Sequence, residues 1–194
     1  MSVPPNPESI LQPARVLPFA YPLDEFYALA NRELPPIEKV DATSIPQPWR
    51  GLLVHNDDMT PTLEQFHRRK LYLNVITRHH RGDSYFREVI LLTERRCRPV
   101  EFGAIKINLA LFPCAARAMI LAEQKPLGSI LAQFKIPHSS RPKAFLRVQA
   151  DQFVKAALQL SGEHLLYARR NTLFDAEQRP LAEIVEILPP ADQP

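Results

Sequence analysis

The chain has 194 residues, a hydrophobic content of 45% and a net charge of +3, which fits one globular domain, or one domain with a long arm. This mild positive excess suits a small anionic ligand and lacks the concentrated basic face that nucleic acid requires, so we expect no nucleic-acid partner. No apolar run approaches the length of a membrane span, the N-terminus lacks a signal-peptide pattern, and Cys97 and Cys114 have no metal or disulfide spacing. We therefore expect a cytoplasmic protein with reduced thiols and no membrane partner.

The N-terminal part of the chain is rich in proline, a residue of which the sequence has 20 against five glycines. Residues 1–20 and 35–48 are interrupted by prolines and are expected to be extended or irregular. Between them, residues 22–34 carry Phe26, Leu29 and Ala30 at helical spacing, with Pro22 suited to a first turn. We predict a proline-rich arm with one short helix over 1–50 and the main domain over 51–190.

The main domain begins with three segments rich in β-forming residues, at 70–80, 84–93 and 99–109, which short polar turns connect. Such short connections predict antiparallel strands. Helices are predicted at 114–124, 126–136 and 151–162, the last with Asp151 as its N-cap and Gly162 as its stop. Two more strands are predicted at 164–174 and 180–188. Runs of strands separated by runs of helices indicate an α+β fold with an antiparallel sheet.

The usual catalytic motifs are absent, and the notable feature is a set of charges inside predicted strands. Arg87 shares a strand face with Tyr85, Val89 and Leu91, because side chains alternate between the two faces. A guanidinium offers a planar fork that suits a carboxylate. Arg87 therefore predicts a pocket for an anionic, largely apolar molecule. For the remaining charges, ion pairing across the sheet is an equal alternative; they are Glu88, Glu101, Lys106, Arg169, Arg170, Glu183 and Glu186.

Several segments, in unbroken order from about residue 56 to 189, resemble the chorismate pyruvate-lyase family, whose fold is shared with the UTRA ligand-binding domains of bacterial regulators. The segments that carry the resemblance are DDMT (57–60), YFREVILL (85–92), RPVEFGAIKINL (98–109), KPLGSIL (125–131), YARRNTLF (167–174) and RPLAEIVEILP (179–189).

The resemblance implies a six-stranded antiparallel sheet flanked by helices, around a pocket shielded by two helical flaps. It also implies conversion of chorismate to 4-hydroxybenzoate and pyruvate without a metal or organic cofactor, so the expected partner is a small anionic aromatic or enolpyruvyl substrate. By the same resemblance, Arg87 binds the ring carboxylate and is a catalytic candidate. Leu127 lines the pocket with its backbone, and Met59 lies near a flap.

The resemblance further implies a carboxylate in the last strand that meets the ring hydroxyl. Glu186 is favoured as this catalytic group if a bulge shifts the strand register, and Glu183 stays open as the alternative. The family has an arginine where this chain has Ala104, and Lys106 on the same strand face is expected to supply that cation. Arg170 completes the substrate-binding candidates.

Two other functions remain open from the sequence. The first is a non-catalytic module of the same fold that senses a small anion. The regulators of this fold carry an N-terminal DNA-binding helical domain, which residues 1–50 are too rich in proline to form. The second is a scaffolding protein that holds a partner through the proline-rich arm.

Overall fold

The computed structural model describes residues 18–94 and 97–191. Within these residues it contains a single mixed-length sheet of seven strands in the order β1-β5-β6-β7-β4-β3-β2, and every neighbouring pair is antiparallel. The strands are β1 (Ile37–Val40), β2 (Leu71–Arg81), β3 (Ser84–Thr93), β4 (Pro99–Asn108), β5 (Ser139–Gln149), β6 (Leu165–Phe174) and β7 (Pro180–Leu188).

Six short α-helices in the described ranges accompany the sheet: α1 (Leu23–Leu29), α2 (Trp49–Leu53), α3 (Met59–His67), α4 (Cys114–Leu121), α5 (Leu127–Gln133) and α6 (Gln152–Leu158). Asp151 caps α6 as predicted, because its carboxylate accepts a hydrogen bond of 2.8 Å from the amide of Val154. This helix ends earlier than expected, with Gln159 in the left-handed conformation that closes a helix. None of the described helices is long and apolar enough to cross a membrane.

Both faces of the sheet are buried. One face packs Phe86, Phe102 and Val185 against α1 and α6. The opposite face packs Ile105 and Ile107 against α4 and α5. Because β3, β4 and β7 are buried on both faces, their sequences read as nearly continuous apolar runs rather than alternating ones.

The α+β class and the antiparallel sheet flanked by helices are confirmed, as is the prediction that β2, β3 and β4 are consecutive antiparallel strands joined in one sheet by β6 and β7. The expected six strands are wrong, because the sheet has seven in the described residues. Strand β5 was not predicted, since Arg141, Pro142, Lys143 and Arg147 interrupt its apolar pattern.

The segment expected to be an extended or irregular arm contributes β1, whose residues Ile37 and Val40 pair with Val148 and Phe145 of β5. Helix α1 of the same segment buries Phe26 and Tyr27 in the core of the sheet. The N-terminal segment from residue 18 onward is thus packed against the main sheet, and the predicted boundary at residue 50 stays a prediction.

Candidate functional site

A cavity with about 60 Å³ of space for water-sized spheres lies between the α4–α5 side of the sheet and two helix N-termini. This is several times the volume of about 10–15 Å³ that one water molecule requires. Its roof contains the start of α3 (58–60) and the start of α5 (126–128). Its floor and walls come from five strands: Leu73, Arg87, Val89, Leu91, Glu101, Gly103, Ile105, Asn171, Leu173, Ile184 and Glu186.

Arg87 is the most unusual of the lining residues, because only 1% of this arginine is exposed. Its Nη1 atom donates a hydrogen bond of 3.5 Å to the carbonyl of Ile120, while its Nε atom has no partner in the described residues. Burial lowers the pKa of the guanidinium below its ordinary value, and Tyr85 and Glu123 nearby act in the opposite direction. Arg87 is therefore a buried cation with weak compensation.

Glu123 is the acidic residue that raises the pKa of Arg87, but its carboxylate is bonded to other side chains. Its carboxylate pairs with Arg78 at 2.9 Å and accepts a short hydrogen bond from the hydroxyl of Tyr85. No carboxylate of the described chain lies within 4.0 Å of Arg87. The Nε donor of this buried guanidinium therefore has no partner in the described residues.

Glu186 lines the same cavity, and it is already paired. Arg169, which is fully buried, donates from its Nε atom to Oε2 of Glu186. The same guanidinium donates to the carbonyls of His55 and Asp57, each at 3.2 Å. Arg169 thus neutralises Glu186 and ties β6 to the loop before α3.

Glu101 is a second buried carboxyl group in the cavity, and its Oε2 atom has no partner in the described residues. Burial raises the pKa of Glu101 well above its ordinary value, Glu186 raises it further, and Arg169 acts against this. Space for this side chain comes from Gly103, where a methyl group would lie 3.0 Å from Oε1 of Glu101 and 3.2 Å from Val89. Burial thus favours the neutral, protonated form of this carboxyl group.

The roof is held together by two close contacts. A methyl group at Gly128 would lie 2.9 Å from the hydroxyl oxygen of Thr60, so the starts of α3 and α5 approach as closely as glycine allows. Asp58 accepts hydrogen bonds of 2.9 and 3.0 Å from Nε2 of His138, and this contact raises the pKa of His138. Asp58 is thus engaged by His138, as Glu186 is by Arg169, whereas Arg87 has no ion-pair partner among the described residues.

The structure brings together four of the residues predicted from the sequence, since Arg87, Glu186, Met59 and Leu127 all line this cavity. Strand β7 has a register irregularity before Glu186, in its pairing with β6, where Leu173 faces Ala182 and Phe174 faces Pro180. The pairing of β4 with β7 is regular from Ala182 to Ile187, with Glu186 opposite Gly103.

Lys106, Glu183 and Arg170 do not line the cavity. They lie on the opposite face of the sheet, where Glu183 pairs with Lys106 at 3.3 Å and with Arg170 at 2.8 Å. Arg170 also donates to the carbonyl of Tyr21 at 3.2 Å. The expectation that Lys106 replaces a pocket arginine is wrong, because Lys106, like Ala104, points away from Arg87. These three residues instead hold the N-terminal segment.

Glu88 also lies on this opposite face, with 2% of the residue exposed. Its Oε1 atom has no partner in the described chain. Burial raises the pKa of Glu88 to about 7, Arg32 acts against this, and Asp151 adds to it. The two adjacent charges in YFREVILL thus lie in separate environments, with Arg87 on one face of the sheet and Glu88 on the other.

Two polar residues of the cavity were not selected from the sequence as site residues: Glu101 and Asn171. Glu101 was recognised only as one of several strand charges, although its alternation with Gly103 and Ile105 places the three on one face. Asn171 alternates in the same way with Arg169. Within the described ranges, no group of three or more His, Cys, Asp or Glu side chains could hold a metal ion.

Comparison with known proteins gives no match among protein-family models and none among curated proteins. Among solved structures, PhnF from Mycobacterium smegmatis is 9% identical with a TM-score of 0.50, over 68% of this chain and 63% of that one. Gene product SA0254 from Staphylococcus aureus is 9% identical with a TM-score of 0.49, over 61% of this chain and 82% of that one. A GntR-family transcriptional regulator from Bacillus cereus is 13% identical with a TM-score of 0.45, over 64% and 94%.

At these identities the likeness to PhnF shows a shared fold and nothing finer. The chorismate lyase-like architecture expected from the sequence, an antiparallel sheet flanked by helices around one pocket, is confirmed with seven strands in the described residues. Membership of the chorismate pyruvate-lyase family stays a prediction.

Proposed function

We propose that this chain is a ligand-binding module that takes a small, largely apolar monoanion into the cavity below α3 and α5, with Arg87 as its carboxylate anchor. The observation that supports this most strongly is the buried guanidinium of Arg87, which lines the cavity and has no carboxylate within ion-pair distance in the described chain. A buried charge is normally paired, because leaving water is costly. A ligand carboxylate would supply the missing partner.

The charge of the rest of the cavity agrees with a single anionic group on the ligand. Glu186 is paired with Arg169 and Asp58 with His138, and burial, which raises the pKa of Glu101, favours the neutral form of that group. One positive charge thus remains on the pocket lining. A monoanion balances it, whereas a dianion would place a second charge beside the buried carboxyl groups of Glu101 and Glu186.

The shape of the cavity supports an apolar body for the ligand. Ile105 and Ile184 form the centre of the floor, and Val89, Leu91 and Leu173 line the sides. Apolar walls with a few oriented polar groups are typical of small-molecule sites. An aromatic or otherwise planar carboxylate fits these walls.

The experiment compares benzoate with benzamide by isothermal titration calorimetry. The two molecules have nearly the same shape, and only benzoate carries the charge that Arg87 would bind. We expect benzoate to bind at least about 30-fold more tightly, because a buried charge-assisted contact is worth about 2–5 kcal/mol. Equal affinity for the two, or no binding of benzoate, would contradict the proposal.

Catalysis of the chorismate reaction is the second candidate. It is favoured by one observation, that Arg87, Glu186, Met59 and Leu127 line a single cavity, as the sequence resemblance implies. Incubation with chorismate followed by assays for both pyruvate and 4-hydroxybenzoate separates the two functions. Release of both products in equal amounts would make the module an enzyme, and benzoate binding without turnover leaves it a binding module.

A further inference from the structure

A histidine and an aspartate form a pair at the edge of the cavity roof. Asp58, the residue before α3, lines the cavity, and it also lines a depression of the outer surface together with His138. His138 lies directly before β5, in the segment that follows α5. Both side chains are partly buried, with 18% of His138 and 19% of Asp58 exposed. The pair therefore borders the cavity on one side and is accessible to solvent on the other.

Both ring nitrogens of His138 lie against hydrogen-bond acceptors. The Nε2 atom is 2.9 and 3.0 Å from the two carboxylate oxygens of Asp58, and the Nδ1 atom is 2.8 Å from the carbonyl oxygen of Ile136. Because carbonyl and carboxylate oxygens only accept, each ring nitrogen must donate, and only the imidazolium ion has two N–H groups. The arrangement is therefore complete only when His138 is charged.

The hydrogen bond from Asp58 agrees with this geometry, because it raises the pKa of His138 above its ordinary value of 6.5, while burial acts against this. A histidine whose pKa is raised in the fold keeps its contact below the ordinary value and loses it as the pH rises through the raised one. The contact between His138 and Asp58 is thus formed at slightly acidic pH and weakened at alkaline pH.

The carboxylate of Asp58 has a second possible partner, the start of α3. Asp58 has the extended backbone of an N-cap residue, but its side chain makes no capping hydrogen bond within the described residues, since its carboxylate is bonded to His138 instead. An N-cap aspartate normally accepts from an amide of the first turn. Pro61 has no such amide, whereas the amide of Thr60 has no partner within the helix. Asp58 can therefore bond to His138 or to the first turn of α3.

Other charged groups border the pair on both sides. On the surface side these are Asp57 of the loop before α3 and Arg141 of β5, and Arg141 is directed to Gln178, whose Oε1 atom accepts from it at 2.5 Å. Asp58 is the charged group that shifts the pKa of His138. On the cavity side the charged lining residues are Arg87, Glu101 and Glu186.

We propose that His138 is a pH-sensitive latch that sets the position of the Asp58 carboxylate and, through it, the affinity of the cavity for an anion. The charged imidazolium holds Asp58 and compensates its negative charge. Once the proton is lost, the ring can donate only one hydrogen bond, and Asp58 is released to cap α3 as an uncompensated carboxylate in the cavity roof. The effect on the ligand rests on the proposed function, whereas the movement of Asp58 does not.

The released carboxylate should repel a ligand carboxylate in the same cavity, because partly buried charges are screened less than exposed ones. Benzoate, with an ordinary carboxyl pKa near about 4, stays ionised throughout the range of the test. We expect calorimetric titration to show about tenfold weaker binding of benzoate at about pH 9 than at about pH 6. Ionisation of Glu101 would act in the same direction, so variants of the pair are needed to assign the effect.

Two variants should fix the affinity at opposite levels. Asp58→Asn removes the charge that moves, so benzoate affinity should change by less than about threefold over this range and stay near the wild-type value at low pH. His138→Gln takes up no proton, so its affinity should also be nearly constant, but near the wild-type value at high pH. His164→Gln is the matched control, because His164 is an exposed histidine bonded to the carbonyl of Ser161; it should keep the wild-type pH dependence.

A second measurement needs no ligand. In NMR spectra of the wild-type protein, the amide signals of Met59 and Thr60 should shift with the same midpoint as the ring protons of His138, at a pH above about 6.5. In His138→Gln these amide shifts should disappear. Should a variant fail to fold, the wild-type titration still decides whether α3 follows the protonation of His138.

The outcomes separate the latch from the proposed function. If benzoate binds at neither pH, the proposed function fails, and the ligand-free NMR titration alone decides on the latch. If benzoate binds equally well at both pH values, or if the pH dependence persists in Asp58→Asn, the latch is overturned. Amide signals of Met59 and Thr60 that do not follow His138 would overturn it as well.

Discussion

Replacement of Arg87 by methionine should make the protein more stable and at the same time unable to bind its ligand. Methionine retains most of the aliphatic length of arginine and removes the charge. Arg87 is 1% exposed, and its guanidinium donates a hydrogen bond of 3.5 Å to the carbonyl of Ile120. Loss of that bond leaves no orphan group, because the same carbonyl also accepts from the amide of Glu123 at 3.3 Å.

The size of the gain follows from the cost of burying a charge. Replacing buried ionic groups by apolar residues of similar volume often stabilises a protein by about 1–4 kcal/mol. Glu123 and Tyr85 partly compensate the Arg87 charge, so we expect about 1–3 kcal/mol for Arg87→Met. For a chain of this size that corresponds to a rise in Tm of about 3–10 °C.

The loss of binding follows from the same charge. Benzoate should bind Arg87→Met at least about 30-fold more weakly than wild type, since a desolvated ion contact is worth about 2–5 kcal/mol. Urea denaturation measures the free energy of unfolding, and calorimetric titration measures the affinity. Arg147→Ala is a matched control, because Arg147 is an arginine in a strand of the same sheet and is paired with Glu38 at the partly exposed surface; it should change the affinity by less than about twofold.

Two results would refute the reasoning on Arg87. If Arg87→Met is less stable than wild type without ligand, other groups of the fold fully compensate the charge of the guanidinium. An anion would then not be required to balance it. If the variant is more stable but binds benzoate as wild type does, the anion is held by another group. Only a gain of stability combined with a loss of binding is consistent with a cation kept for function, at the expense of stability.

Three further changes test other parts of the structure. Glu88→Gln should flatten the pH dependence of stability, as urea denaturation at several pH values will measure. Because the pKa of Glu88 is raised from 4.5 to about 7 in the fold, the contribution of this group to stability is full below pH 4.5, falls by about 3 kcal/mol between pH 4.5 and 7, and is level above pH 7. Gly103→Ala should weaken benzoate binding about tenfold in calorimetric titration, because the added methyl group lies 3.2 Å from Val89 and enters the cavity. Gly128→Ala should lower the free energy of unfolding by about 1–3 kcal/mol in thermal denaturation, because its methyl group would lie 2.9 Å from Thr60.

Each of these three predictions has an outcome that would contradict it. An unchanged pH profile in Glu88→Gln would mean that the carboxyl group of Glu88 titrates near its ordinary value. Full benzoate affinity in Gly103→Ala would place the ligand elsewhere than over Gly103. Wild-type stability in Gly128→Ala would mean that α3 and α5 can separate at no cost, and that the roof of the cavity is not a tight contact.

Much of the fold could be predicted from the sequence because strands and helices leave local patterns. The runs 70–80 and 84–93 have the residue types of strands and a short turn between them, and they form β2 and β3. The missed strand β5 has Pro142 and three basic residues, which usually mark turns or surface. Pro142 is tolerated there because β1 covers β5 only from Phe145 to Val148, and proline requires no partner on an open edge.

The candidate site was only partly predictable, because alternation places a residue on a face only within its own strand. Whether Arg87 and Lys106 lie on the same face of the sheet depends on the register between β3 and β4. That register places Arg87 opposite Ile105 and shifts between Leu91 and Leu92, and no sequence pattern fixes such a shift. The same limit explains the error on Glu183, which lies opposite Lys106 on the other face.

The pairing of β1 with β5 also determines how much of the β5 edge is open to solvent. Helix α1 and strand β1 cover apolar side chains and part of the backbone edge of an eleven-residue strand. A shortened chain that began at residue 51 would expose that edge to the same strand of another molecule, which is a common route to aggregation. The segment from residue 18 to 48 therefore shields this edge of the sheet, and the chain is best produced with the segment attached.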